Sequence, residues 1–84
     1  MSILKNENIF TDKQGQYLAY IHYYSKVNRI PPAQRDMQKF FGVSPATVHQ
    51  MILQLEKKNF IKRMPNTSRS FVVIIPEEQI PTLK

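Results

Sequence analysis

At 84 residues the chain is sized for one domain, and its core is marginal because short chains bury a low fraction of their surface. It has no cysteine, which excludes disulfides and thiolate metal sites; it has no apolar run near the roughly 20 residues that span a bilayer and no basic start followed by an apolar stretch as in a secretion signal, so a soluble cytoplasmic chain without membrane contact is expected. Twelve basic and six acidic residues leave a net charge of +6, and polyanions are the natural partners of such a surface.

Residues 1–9 are mixed and polar and are expected to form a flexible arm. Thr11 is placed as a helix N-cap, with Gln14 at the capping-box distance and Asp12 at the positive end of the dipole. Tyr17, Ile21, Tyr24 and Asn28 share one face, with Leu18 and Tyr20 at its edges. That 3.6-residue period predicts an amphipathic helix from Asp12 to Val27. Its tyrosines read as core aromatics with hydroxyls at the rim rather than as a stacking platform for bases. The "RIPP" stretch ends this helix, because residues before proline disfavour the helical region.

A short second helix is predicted from Ala33 or Gln34 to Phe41, with Met37, Phe40 and Phe41 as its apolar positions. Gly42 stops it by taking the left-handed conformation. Val43 is the expected buried pivot of the turn, Ser44 the next N-cap and Pro45 the first helical residue. The third helix should run from Pro45 to Lys58. Steps of 100° put Val48, Met51, Ile52 and Leu55 on one side and Ala46, Gln50, Leu53 and Lys57 on the other, flanked by Thr47, His49 and Gln54. Asn59 suits a left-handed residue at the helix end. Two β-rich runs follow, "FIKRM" and "SFVVII", joined by the loop "PNTSR". They predict a hairpin with Arg69 at a basic tip and Lys62 and Arg63 on its approach. Pro76 closes it, and "PEEQIPTLK" has the character of a tail. The expected organisation is an arm over 1–9, a folded domain over 10–76 and a tail over 77–84.

The fold class is therefore mainly α with a small β hairpin: a three-helix winged helix-turn-helix. Between Gln34 and Ser70 the chain carries seven basic and two acidic residues, a net of +5. A DNA major groove admits one α-helix, and a helix that enters it needs small or polar outward residues and no carboxylate facing phosphate. Ser44, Ala46, Thr47, His49 and Gln50 meet that demand and are the candidate base-reading set. Arg35, Gln54, Lys57, Lys62, Arg63 and Arg69 are the candidate backbone contacts, with the wing spanning 62–70. Gln50 suits adenine, and Ala46 or the Thr47 methyl suits a thymine methyl. The plainer reading of each position is a solvated helix surface, and the Thr47 hydroxyl has a local alternative in bonding back to the preceding turn.

Catalysis finds little support. Ser44, His49 and Asp36 supply the letters of a triad, but no nucleophile-elbow sequence surrounds Ser44, and its role as a cap accounts for it. His22 and His49 lie on different helices without metal-ligand spacing. With two glycines in the chain, no phosphate-cradling pattern exists. No enzyme activity, metal, cofactor or small-molecule substrate is expected.

"RIPPAQRDMQKFFGVSPATVHQMILQLEKKNFI" resembles the DNA-binding domain of LexA-type repressors, which reads "PP-T-x-x-E-I" in its second helix, then a "G-V-S-x-x-T-V" turn and "L-x-x-L-x-x-K-G-x-I" into the wing. The resemblance covers Phe10 to Ile75. "GVSPATVHQMI" is shared by MarR-like and GntR-like families too; the double proline upstream favours the LexA type. In this chain Ala33 stands for the usual capping threonine, Asp36-Met37 for Glu-Ile, and Asn59 for glycine. The resemblance implies sequence-specific binding of double-stranded DNA by a transcriptional regulator. These residues contain no counterpart of that family's self-cleaving protease domain, so its serine–lysine chemistry and dimerisation are not carried over. A module this small makes few base contacts, so a homodimer on two half-sites, or assembly with a larger partner, is expected. The rival expectation is a protein-interaction module, since winged helices also dock proteins and Leu53 points outward beside Gln50 and Lys57.

Overall fold

The computed structural model describes residues 10–63 and 69–84. In chain order it contains α1 (Asp12–Asn28), α2 (Gln34–Phe41), α3 (Pro45–Lys57), β1 (Ile61–Lys62), β2 (Val72–Val73) and a 3-10 turn at Glu77–Gln79. The expected arm over 1–9 and most of the hairpin loop lie outside the described residues.

Each helix begins and ends where its local chemistry directs. The Gln14 amide N–H donates to Thr11 Oγ1 at 3.1 Å, and the Thr11 N–H donates to Gln14 Oε1 at 3.0 Å. Two orphan donors of α1 are thereby satisfied reciprocally. The helix stops on Arg29, which takes φ 66 and donates its N–H to Ser25 O at 2.8 Å. Gly42 ends α2 at φ 64, with the Val43 N–H reaching Gln38 O at 3.2 Å. Asn59 ends α3 at φ 62; its N–H meets Glu56 O at 3.0 Å and the Phe60 N–H meets Leu55 O at 3.0 Å. That crossed pair of bonds is the Schellman closure expected of a left-handed residue just past a helix.

The core gathers Tyr17, Leu18 and Ile21 from α1, Met37 from α2, Val48, Ile52 and Leu55 from α3, and Phe60, Ile61 and Phe71 from the hairpin. The Tyr17 ring stacks on Phe41 with centroids 4.0 Å apart. α2 packs on α3, α3 on β1, and α1 on β2, so the hairpin closes the space between the first and third helices. Its strands are antiparallel, with Ile61 opposite Val73 and Lys62 opposite Val72. Lys62 and Val72 therefore share the exposed side while Ile61 turns inward. The Ile74 N–H to Phe60 O bond of 2.9 Å continues the pairing beyond the ladder.

Several expectations need correction. The two strands are two residues each, shorter than the β-rich runs that contain them. Asn28 is exposed rather than on the core face, because the buried stripe of α1 runs from Gln14 to Ile21 and ends before the last turn. Phe40 is 46 % exposed: Met37 and Phe41, four residues apart, occupy the inward direction of α2, and Phe40 rides the rim with its ring stacked on Tyr20 at 4.5 Å. Val43 is half-buried and packs against the edge of the core rather than inside it.

Residues 77–84 lie along α1. Glu77 Oε2 is 3.4 Å from Lys26 Nζ and 3.5 Å from His22 Nε2. Gln16 grips the far end, donating to Thr82 O at 3.0 Å and accepting from the Lys84 N–H at 2.8 Å. Gly15 permits this approach, since a Cβ there would meet Phe10 Cε1 and Pro81 Cγ at 3.0 Å each.

Candidate nucleic-acid interface

α3 is set by its first turn. Ser44 sits at φ −76, ψ 161 with its Oγ accepting the Thr47 N–H at 3.2 Å, and Pro45 occupies the first helical position. No acid lies in that turn, so the partial positive charge of the helix start is left unopposed by a side chain. The Ser44 and Thr47 hydroxyls are 3.0 Å apart and hydrogen-bonded to each other. The Thr47 hydroxyl thus does bond locally, to the cap side chain.

Burial divides α3 as its 100° steps require. Val48, Ile52 and Leu55 are buried, and Ala46, Thr47, His49, Gln50, Leu53, Gln54 and Lys57 are exposed. The five residues Ser44, Ala46, Thr47, His49 and Gln50 are brought together on the solvent side of the first two turns. Leu53 lies beside them at 46 % exposure.

α3 is braced from behind by a contact that crosses the fold. Gln14 is buried, and its Nε2 donates to Gln54 Oε1 at 3.2 Å while its Oε1 holds the start of α1. Gln54 is therefore engaged with α1 as well as exposed. The capping-box spacing identified Gln14, but not this second bond, whose partners are 40 residues apart.

The two acids of the basic half are both spent internally. Glu56 takes Arg63 in a two-pronged pair, Nε to Oε2 at 2.9 Å and Nη2 to Oε1 at 3.3 Å, and the guanidinium lies 5.5 Å from the centre of the Phe71 ring. Asp36 Oδ2 accepts the Ala33 N–H at 2.8 Å and Arg69 Nη1 at 3.0 Å. Arg69 Nη1 also donates to Tyr24 Oη at 3.2 Å. Arg69 is thus folded back onto α1 and α2 instead of crowning a hairpin tip. The Ala33 amide, seconded by Arg69 and the Tyr24 hydroxyl, holds the Asp36 carboxyl below the usual carboxylate range despite its partial burial. Arg35, Lys39, Lys57, Lys58 and Lys62 are exposed and form no ion pair with any described residue. With both carboxylates occupied, the side of the molecule that carries α3 and the hairpin presents cations to solvent. Among the described residues no three His, Asp or Glu side chains gather to hold a metal ion, and no helix is long and apolar enough to cross a membrane.

The model of the LexA DNA binding domain matches residues 7–70. The chain belongs to that family. Among its relatives, the LexA repressor of Thermosipho melanesiensis is 37% identical over 70 residues, covering 83% of this chain and 35% of that protein. The LexA repressor of Thermosipho africanus is 36% identical over 70 residues, with the same shares. The chain thus spans about a third of the length of the curated repressors it matches, 35% in both cases. The three helices and antiparallel hairpin are the winged helix-turn-helix of a LexA DNA-binding domain, as the double proline and the "GVS" turn imply. Where the LexA-type pattern has threonine before α2, Ala33 offers no side-chain acceptor. Only the reciprocal half of the capping box forms, from the Ala33 N–H to Asp36. Where the pattern has glycine after α3, Asn59 takes the same left-handed backbone.

Proposed function

We propose that this chain binds double-stranded DNA sequence-specifically and acts in transcriptional repression, with α3 in the major groove and the wing on the sugar–phosphate backbone. The observation that carries this reading is the outward face of α3, which carries no acid and belongs to a domain whose two nearby carboxylates are neutralised from within. Gln50 and His49 are the hydrogen-bonding base readers, and Ala46 and the Thr47 methyl supply apolar contact to thymine. Ser44 holds the helix start, where backbone amides meet a phosphate. Arg35, Lys57 and Lys62, which form no ion pair with any described residue, extend toward the backbone, with Gln54 and Arg63 flanking them; such contacts fix position without reading sequence. Two copies act together on two half-sites, because one module of this size reaches few base pairs.

Selection of bound duplexes from a random pool at physiological salt tests this directly. A recovered inverted repeat supports both the sequence reading and the pairing. Recovery of no enriched sequence, together with association that does not weaken as salt rises, overturns it, because DNA binding releases counterions and must be salt-dependent. The same outcome with tight capture of a protein partner would instead favour a docking module built around Leu53.

A further inference from the structure

Arg69 is the one cation of the expected backbone-contact set whose side chain reaches across the fold to another helix pair. Its Nη1 bonds Asp36 Oδ2 on α2 at 3.0 Å and Tyr24 Oη on α1 at 3.2 Å. Its backbone is in the left-handed region at φ 52, a conformation that costs a non-glycine residue roughly 1–2 kcal/mol and persists only where the surroundings enforce it. Asp36 is itself fixed, because the oxygen that takes Arg69 also accepts the Ala33 N–H at 2.8 Å. One carboxylate therefore joins three things: the start of α2, the last turns of α1 through Tyr24, and the returning strand of the hairpin.

We propose that Arg69 is a positioning residue that latches the wing to the helix-turn-helix, and that it is not a phosphate contact. This rests on the DNA-binding reading above. The wing's own ladder is two residues per strand, too short to define its direction alone. The Arg69–Asp36–Tyr24 cluster sets the distance between the wing cations and α3, so that both reach the duplex at once. A wing released from the latch occupies its bound position for only a fraction of the time, and apparent affinity falls by that fraction.

The two roles predict opposite results for one substitution. Asp36→Asn removes a negative charge from a basic face. If Arg69 served phosphate, freeing it from Asp36 would tighten binding. The latch predicts weakening by about tenfold, for a wing correctly placed about a tenth of the time. The asparagine Oδ1 still accepts the Ala33 N–H, so α2 keeps its start, while the ion pair that holds Arg69 is reduced to an uncharged hydrogen bond. Binding is read by fluorescence anisotropy on a labelled mixed-sequence 24-base-pair duplex over a salt series, below the melting transition of every variant. Arg69→Gln and Arg69→Lys should each weaken binding by a similar factor. Arg69→Gln should leave the slope of log K against log salt unchanged, whereas loss of a phosphate contact lowers it by about 0.9. The double variant Asp36→Asn/Arg69→Gln should be no weaker than either single one, as expected of one interaction. Amide exchange at Ile74 should quicken in these variants while that of Ile52 in α3 does not, separating a loosened wing from general destabilisation. Tighter binding by Asp36→Asn, or a reduced slope in Arg69→Gln with Arg69→Lys unaffected, overturns the latch. Failure of the unmodified chain to bind the duplex in a salt-dependent manner overturns the underlying DNA reading instead.

Discussion

Gln50 and Lys62 stand for the two kinds of contact that this surface offers. Both are exposed, but one is a forked amide on the helix proposed to enter the groove and the other a point charge on the hairpin. Gln50→Ala should change which sequences are preferred and cost about 1–3 kcal/mol at the base it reads, as seen by comparing selected duplexes with single-base variants. Lys62→Ala should weaken every sequence alike and lower the salt slope by about 0.9. If the two variants behave identically across sequences, the division of labour is wrong. Gly42 makes a different residue-scale case. It is at φ 64 with nothing within 4 Å of the position a Cβ would take. Gly42→Ala therefore tests backbone conformation without a steric clash, and urea unfolding should show a loss of roughly 1–2 kcal/mol. A loss near zero would mean that the turn relaxes out of the left-handed region.

The helices were legible because their signals are local. Capping at Thr11 and Ser44, termination at Gly42 and Asn59, and the inward stripe of α3 each need only residues within four positions, and each is where the spacing placed it. Rim positions were less legible. Asn28 has the spacing for burial but lies past the buried stripe of α1, and Phe40 is displaced to the rim because Met37 and Phe41 take the inward direction of α2. Pairings across the fold were not legible at all: Asp36 with Arg69 is separated by 33 residues and Gln14 with Gln54 by 40, and no local pattern predicts which carboxylate or amide a side chain will meet. Ala33 marks the weak start of α2, visible in the sequence and borne by a single reciprocal bond. Ala33→Ser should complete the capping box by accepting the Asp36 N–H and raise stability by about 1 kcal/mol, read as a higher urea midpoint with an unchanged m-value. No gain would show that the Asp36 N–H is already satisfied by the Ala33 carbonyl, 3.1 Å away.

Across the whole molecule, charge pairing at the surface joins the helices and the wing, which also meet in the core. Glu56–Arg63 ties α3 to the wing, Asp36–Arg69 ties α2 to it, and Glu77 ties residues 77–84 to α1. Asp36 makes this arrangement sensitive to acid. Its folded pKa is depressed, so its contribution is fully present above the unfolded value of about 3.9 and is lost as pH falls through the folded value. Thermal melts from pH 5 downward should show a drop in midpoint that is shallower in Asp36→Asn, which has no proton to take up. An acid limb of equal steepness in both proteins would assign the loss to other carboxylates. Binding to DNA should weaken steeply with salt at neutral pH for a separate reason, the release of counterions from phosphate.

The Gln14–Gln54 bond has a consequence of another kind. It joins two uncharged amides, one of them buried, and ties the last turn of α3 to the first turn of α1. Ionic strength and pH govern how strongly cations and carboxylates act, but they leave an amide pair as it is. In the proposed binding mode, grip on the polyanion is thus tuned by the medium while the side chains offered to the bases keep their placement. That mode separates fidelity of reading, carried by uncharged groups, from strength of holding, carried by charged ones.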